Sequence, residues 1–182
     1  MTRITVLVLM VSAAFCAQAQ NGSAPATQTT PPWAYAVNPP PVPGAQQPAP
    51  DNSPKHLPGT DVTFTIAQTR DGFNPPDWYP SQHPPMPEVV AHGRKPDVRA
   101  CGFCHLPNGQ GRPENAGLAG LPALYIEQQM SDYRNGLRKS SEPRMGPPAA
   151  MLTIGKAANE AEAKAAAAYF ASLKFKPWIR IV

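Results

Sequence analysis

The residues best suited to chemistry stand together in one short stretch, which reads RACGFCHLPNGQG and contains Cys101, Cys104 and His105. Such a pair of cysteines could close a disulfide, bind zinc, exchange thiols or anchor a haem. On one helical turn, thiols at positions i and i+3 face the same way. Each thiol could then add across one haem vinyl group, and the histidine at the next position would meet the iron. The order of the three residues therefore predicts a haem c attachment site, with Gly102 and Phe103 as spacers.

The competing chemistries find less support in the rest of the chain. Structural zinc needs four ligands, yet the remaining histidines, His56, His83 and His92, are scattered, and the one other cysteine is Cys16. A thioredoxin-like pair is expected in a βαβ context, whereas the residues around this motif predict helices and loops. Haem c is the interpretation that these observations favour.

The N-terminus predicts export. Arg3 precedes an apolar run over residues 4–15, and Ala17-Gln18-Ala19 has the small-x-small form of a cleavage site. The run is shorter than the roughly 20 residues that a membrane span needs. We therefore expect a signal peptide over residues 1–19, a periplasmic protein, and no stable membrane span after cleavage. An uncleaved signal anchor is the alternative.

The charge of the chain argues against nucleic acid as a partner. Sixteen Lys and Arg against 12 Asp and Glu give a formal net charge of +4, and removal of Arg3 would lower it by one. This excess is small, and no run of Lys or Arg accompanies it.

Proline divides the chain into segments. Many of the 25 prolines lie in residues 20–59, which carry little charge and few large aliphatic groups. Such a segment cannot bury enough apolar surface to offset its ordering entropy, so we expect a disordered tether. In residues 60–87, Val62, Phe64 and Ile66 alternate as in a short strand, and further aromatic residues follow. We expect an extended arm there that packs on a domain over residues 88–176, with a tail over residues 177–182.

Two long helices are predicted within this domain. The first runs from about Pro122 to Asn135 and ends at Gly136. One face of this helix is expected to carry Leu121, Leu124, Tyr125, Tyr133 and Leu137. The last helix begins at Asn159, with Glu162 placed for a capping box. Its large apolar residues, Tyr169, Phe170 and Leu173, are expected in the core.

Three stretches resemble class I c-type cytochromes, namely CGFCHLPNGQG, LAGLPALYIEQQMSDYRNGLRKS and AAAAYFASLK. The resemblance covers roughly residues 89–174 and is nearest to the single-haem periplasmic branch that looks like one half of the dihaem cytochromes c. It implies an all-α fold of about three to five helices around one haem. It also implies that a backbone carbonyl near Ala116, where the family often has proline, accepts a hydrogen bond from the ring of His105.

The same resemblance implies the sixth ligand of the iron. The family's ending aligns Met151 with its ligand methionine, in a stretch expected to be a loop between Gly136 and Asn159. Met145 in the same stretch is the first alternative, and His83 or His92 is a more distant one. Met130 is set aside because it lies within a predicted helix.

A His105/Met151 haem implies an electron carrier rather than an enzyme. A haem c subunit of a larger respiratory or dehydrogenase complex, and a haem enzyme or gas sensor with an open sixth position, are the alternatives. Redox proteins with acidic docking surfaces are the expected partners, because basic residues outnumber acidic ones around the motif. This predicted basic rim consists of Arg94, Lys95, Arg99, Arg112, Arg134, Arg138, Lys139 and Arg144. An ordinary solvated surface would show the same excess.

Overall fold

The computed structural model describes residues 42–44, 49 and 51–177 of the chain. All of them belong to the second of the two units, 1–34 and 35–182, into which the chain divides. The predicted signal peptide, most of the tether up to residue 50 and the tail beyond Pro177 lie outside the described residues. Within these ranges, no helix is long and apolar enough to cross a membrane.

The described residues form a largely helical structure with one very small sheet. In chain order the elements are β1 (Lys55–His56), β2 (Thr63–Phe64), α1 (Ile66–Thr69), a 3-10 turn (Pro80–Gln82), α2 (Glu88–Ala91), α3 (Cys101–His105), α4 (Ala123–Arg134), α5 (Gly146–Ala157) and α6 (Glu160–Ser172). Five of the helices lie after residue 87, so the predicted all-α fold is confirmed.

Helix α6 forms the centre of the core. It begins as predicted, because Asn159 accepts a hydrogen bond from the Glu162 backbone N–H while the Glu162 carboxylate accepts from that of Asn159. Its inner face carries small alanines, which allow α4 and α2 to approach closely. Tyr169, Phe170 and Leu173 are buried as expected. The buried cluster comprises Val89, Val90, Val98, Ala119, Ile126, Ala158, Ala166, Ala167, Tyr169, Phe170 and Leu173.

Two leucines among the five residues expected on one face of helix α4 are exposed. Ile126 is buried and Met130, one turn later, packs against the buried cluster. Leu124 stands two positions before Ile126, about 200° away around the helix, and is 80% exposed. Leu137, beyond the end of the helix, is 75% exposed. Neither leucine therefore contributes to the packed side of α4.

The stretch predicted as a loop before Asn159 is mostly helix. Pro147 and Pro148 stand in the first turn of α5, where their missing backbone N–H groups cost nothing. Further along, a Cβ added to Gly155 would lie 2.5 Å from Cβ of Tyr133, so α4 and α5 cross with almost no space between them. Met151 therefore projects from a packed helix rather than from a loop.

The N-terminal part of the described chain forms a small structure of its own. Lys55 pairs with Phe64 and His56 with Thr63, so the antiparallel sheet begins within the segment predicted as tether. The strand is shorter than expected because Thr65, joined to Gln68 in a capping box, starts helix α1 and takes Ile66 into it. The ring of Phe64 meets Trp78 edge to face at 4.9 Å.

Residues 60–87, hereafter the arm, contact the segment that leads into α3. The backbone N–H of Ala100 donates to the carbonyl of Gly72 at 2.9 Å. Phe73 follows Gly72 in the arm. Its carbonyl oxygen lies 3.3 Å from Nδ1 of His92, and the centroid of the Phe73 ring lies 5.7 Å from the Lys95 ammonium. Because Ala100 immediately precedes Cys101, these contacts fix the position of the backbone at the start of the cysteine motif.

Candidate haem site

The cysteine motif lies on a short helix that packs tightly against its neighbour. Cys101, Cys104 and His105 all belong to α3. Gly102 is buried, and a Cβ at this position would lie 2.9 Å from the carbonyl oxygen of Val90 on α2. Gly102 is therefore required for the approach of the two helices, and the prediction that it is only a spacer is wrong.

One cavity brings the predicted ligands together. Cys101, Cys104 and His105 line a cavity of about 300 Å³ between the motif and the two long helices α4 and α5. Apolar and aromatic side chains make up most of its wall. Those that α4, α5 and α6 contribute include Ile126, Met130, Tyr133, Ile154, Ala166 and Phe170.

Burial keeps the groups of the motif uncharged. It raises the pKa of the Cys101 thiol to about 12 and raises that of Cys104 as well, with Arg112 and Arg99 opposing the second shift. Burial also lowers the pKa of His105, against the effect of its hydrogen bond to Ala116. A neutral imidazole is the form that binds a metal.

The ring of His105 is fixed by the backbone. Its Nδ1 lies 2.8 Å from the carbonyl oxygen of Ala116, which can only accept a hydrogen bond. Nδ1 therefore carries the proton and Nε2 keeps the lone pair that can bind iron. The carbonyl contact that the family resemblance implies is present, although Ala116 replaces proline.

Gly111 allows this carbonyl to reach the histidine. It has φ +77°, and a Cβ there would lie 2.6 Å from the carbonyl oxygens of both Asn115 and Ala116. Its own N–H donates to the backbone carbonyl of His105 at 2.8 Å. The loop after the motif thus folds back on His105 only with glycine at this position.

We expect Gly111→Ala to lower the free energy of unfolding by roughly 2 kcal/mol or more, since it adds a backbone clash to left-handed strain. Gly136→Ala is the matched control, because Gly136 has φ +69° and open space around it; it should cost about 1 kcal/mol. Chemical denaturation measures both values. Equal losses in the two variants would show that the contact with Ala116 is unimportant.

The methionines differ in their placement. Met151 lines the cavity from α5 beside Pro147 and Pro148, whereas Met145 precedes the helix and is not among the lining residues. Met130 also lines the cavity, from α4, although it was set aside on sequence grounds. Since Met151 lies in a helix too, that reason no longer separates the two. What separates them is that Met130 also packs against the buried cluster.

The more distant alternatives for the sixth ligand lie elsewhere. Neither His83 nor His92 is among the described residues that line the cavity. His83 contacts Asp77 and Tyr169 instead, at distances of 3.1 Å. In the described part of the chain, no three His, Cys, Asp or Glu side chains converge as they would around a zinc ion.

Part of the predicted basic rim has a structural role. Arg94 pairs with Glu162 at 2.7 Å and donates to the Ala157 carbonyl at 2.9 Å. Arg134 donates to the next carbonyl, that of Ala158, at 2.9 Å. These two arginines stabilise the connection between α5 and α6. Of the remaining rim residues, Arg99 and Arg138 line the cavity itself.

Sequence comparison assigns the domain that carries this cavity. The family model described as cytochrome c matches residues 90–174, just under half of the chain. These residues belong to the cytochrome c family. The cytochrome c domain includes the cysteine motif, the Ala116 carbonyl and both cavity methionines, so the domain is a haem-based electron-transfer module.

Solved structures similar to this chain include two larger proteins. The thiosulfate dehydrogenase TsdBA from Marichromatium purpuratum, in its as-isolated form, is 24% identical with a TM-score of 0.42, over 50% of this chain and 18% of that one. Reduced recombinant cytochrome c4 from Pseudomonas stutzeri is 27% identical with a TM-score of 0.36, over 41% of this chain and 38% of that one. The present chain thus spans well under half the length of either. No curated protein sequence matches it.

The donors around the cavity of the cytochrome c domain fit a haem. Two thiols at positions i and i+3, an imidazole with a fixed tautomer and a thioether from a facing helix share one apolar cavity. Thiols suit the two vinyl groups, and nitrogen and thioether sulfur are the donors that low-spin haem iron takes in cytochromes c.

Proposed function

We propose that the protein is a periplasmic electron carrier with one covalent haem c. Cys101 and Cys104 would form the thioethers, and His105 and Met151 would be the axial ligands. The observation that carries this proposal is the arrangement of all four side chains around a single apolar cavity. When bound, the haem supplies a centre that gains and loses one electron reversibly.

The chain's own residues prepare this site for electron transfer. The Ala116 carbonyl and Gly111 fix the His105 ring, so its orientation need not change with the charge of the iron. Around a bound haem, the apolar walls from α4, α5 and α6 would leave little room for water and lower the local polarity. A dry site with fixed ligands reorganises little when an electron arrives, which favours rapid transfer.

The contacts of Glu162, one of the two glutamates that line the cavity, favour a carrier over an enzyme. Glu162 lines the cavity, but Arg94 holds the pKa of its carboxyl below the usual range, and the backbone N–H of Asn159 donates to it as well. A carboxylate held ionised in this way is a poor general acid. Its contacts give it a structural role at the start of α6.

Redox titration followed by visible absorption tests this proposal. We expect one reversible one-electron transition and, in the oxidised protein, a weak far-red band from iron–sulfur bonding that disappears on reduction. High-spin features without that band would instead indicate an open sixth position, as in a haem enzyme or gas sensor. That result would overturn the assignment of a His/Met carrier.

We also predict that positive charge at the cavity mouth accelerates reaction with anionic partners. At low ionic strength the reduced protein should react faster with hexacyanoferrate(III) than with a cationic cobalt(III) complex. Added salt should slow the first reaction and leave the second unchanged or faster, because screening shortens to about 10 Å at 0.1 M. Stopped-flow absorption measures both rates.

A matched pair of variants locates this effect. Arg99 lines the cavity, whereas Arg70 is an exposed arginine on the arm and does not. Arg99→Gln should weaken the salt dependence with hexacyanoferrate(III), and Arg70→Gln should leave it unchanged. If the rate with hexacyanoferrate(III) does not change with salt in the unaltered protein, the basic residues form an ordinary solvated surface and the prediction is wrong.

A further inference from the structure

A buried polar cluster joins the arm to the cytochrome c domain. His83 stands before residue 90, outside the family match, and its side chain is 5% exposed. Its Nε2 lies 3.1 Å from both carboxylate oxygens of Asp77. Its Nδ1 lies 2.9 Å from the Pro84 carbonyl and 3.1 Å from the hydroxyl of Tyr169 on α6.

The partners of Nδ1 require a proton on that nitrogen. The Pro84 carbonyl can only accept a hydrogen bond. The hydroxyl of Tyr169 donates its single proton to the Pro107 carbonyl at 2.6 Å, so toward His83 it can only accept as well. Nδ1 must therefore be the donor in both contacts.

The partner of Nε2 requires a second proton. Asp77 offers two carboxylate oxygens, and one of them already accepts from the Tyr79 backbone N–H at 3.3 Å. If the ring carried a proton on Nδ1 alone, the lone pair of Nε2 would face a carboxylate in a buried site. One more proton between Nε2 and Asp77 removes this conflict, with Nε2 as the donor to the carboxylate.

The cluster also reaches the haem histidine. Pro107, which accepts from Tyr169, is two residues beyond His105, and the intervening Leu106 holds a φ of +62°. In addition, the rings of His83, Tyr169, Phe170 and His105 follow one another edge to face, with centroid distances of 6.4, 5.3 and 6.1 Å. Tyr169 thus connects the arm to the loop that follows His105 and, through Phe170, to the aromatic ring that packs against His105.

We propose that His83, held doubly protonated against Asp77, is a positioning residue that fastens the arm to Tyr169 and makes the haem potential respond to pH. The titratable groups that face its ring are Asp77 from the arm and Tyr169 from α6. Burial and the charge of Asp77 raise the pKa of Tyr169 to about 12, so this side chain stays a neutral donor. The inference rests on the proposed haem function for its redox part only.

The sign of the pH effect follows from the charge of the pair. Doubly protonated His83 and ionised Asp77 together carry no net charge. When rising pH removes the second proton, a net negative charge remains beside the core, and one hydrogen bond of the cluster is lost. The folded state then becomes less stable, and the reduction potential falls because negative charge favours the ferric form.

Asp77→Asn provides the decisive variant. It has nearly the same shape, and its amide can donate to Nε2, so the ring needs one proton only. The arm should stay in place while the potential depends less on pH. His56→Gln is the control, since His56 is an exposed histidine on β1 and its loss should leave the pH response of the unaltered protein intact.

Two measurements on the full reduced protein test the proposal. Nitrogen-15 NMR of labelled histidine, with the His83 signals assigned by their loss in His83→Gln, should show both ring nitrogens protonated in the unaltered protein and one in Asp77→Asn. The potential should fall with pH in the former and change less in the latter. A His83 ring that is neutral at every pH at which the unaltered protein is folded, or identical pH profiles in the two proteins, would overturn it. The NMR result is readable without haem, so a failure of the proposed function would show separately in the absorption spectrum.

Discussion

Replacing Met151 by alanine should remove the far-red iron–sulfur band and lower the reduction potential by on the order of 0.1 V or more, a sizeable part of the range that axial ligands span. The thioether is a soft, uncharged ligand that favours ferrous iron. Met151 projects into the cavity from α5, whose first turn of Pro147 and Pro148 also lines it. Loss of the side chain leaves the sixth position to water or to a replacement ligand.

Two control variants make this prediction specific. Met145→Ala should keep both the band and the potential, because Met145 is not among the cavity residues. Met130→Leu keeps the volume of a side chain that packs against the core and removes its sulfur. It should keep the band as well. If the band disappears with Met130 or Met145 and persists without Met151, the assignment of Met151 is wrong, although the site would still be a haem site.

The second large effect concerns stability. The double variant Cys101→Ala/Cys104→Ala cannot form thioether bonds, so its haem can be removed by extraction. We expect this variant to lose much of its stability when the haem is removed. A cavity of about 300 Å³ left unfilled costs up to roughly 7 kcal/mol at about 24 cal/mol per Å³. That is comparable to the whole stability of a small domain, about 5–15 kcal/mol. Circular dichroism of the double variant, before and after haem extraction, measures this loss.

Phe103→Ala is the matched control for the double variant. Phe103 lies between the two cysteines and stacks with the Arg112 guanidinium, 4.3 Å from its ring centroid. Its replacement leaves both thiols and their spacing unchanged. This variant should keep its haem through extraction and stay folded. A double variant that remains equally stable without haem would show that the domain does not need the group to fill its core.

The features that could be predicted from the sequence are local ones. The motif over residues 101–105, the capping box of Asn159 and Glu162 and the end of α4 before Gly136 each depend on residues within one or two helical turns. The Ala116 carbonyl required the family resemblance, because the loop that brings it to His105 spans eleven residues.

Features that depend on long-range packing were missed. Helix α5 lies in the stretch between Gly136 and Asn159 that was expected to be a loop, yet the two prolines after Gly146 are favourable in a first helical turn. Gly155 carried a usable signal, since a glycine inside a helical stretch costs about 1 kcal/mol and usually marks a close contact. Nothing local indicated that His83 would contact Tyr169, which is 86 residues beyond it.

Covalent attachment of one haem to Cys101 and Cys104 is tested most directly by acid–acetone extraction of protein exported from cells that attach haem, combined with the mass of the intact chain. We expect the colour to remain with the protein, the mass to exceed that of the chain by one haem, and a pyridine haemochrome of the c type. Haem that extracts freely, or a colourless protein that binds zinc at this motif, would contradict the assignment of the site.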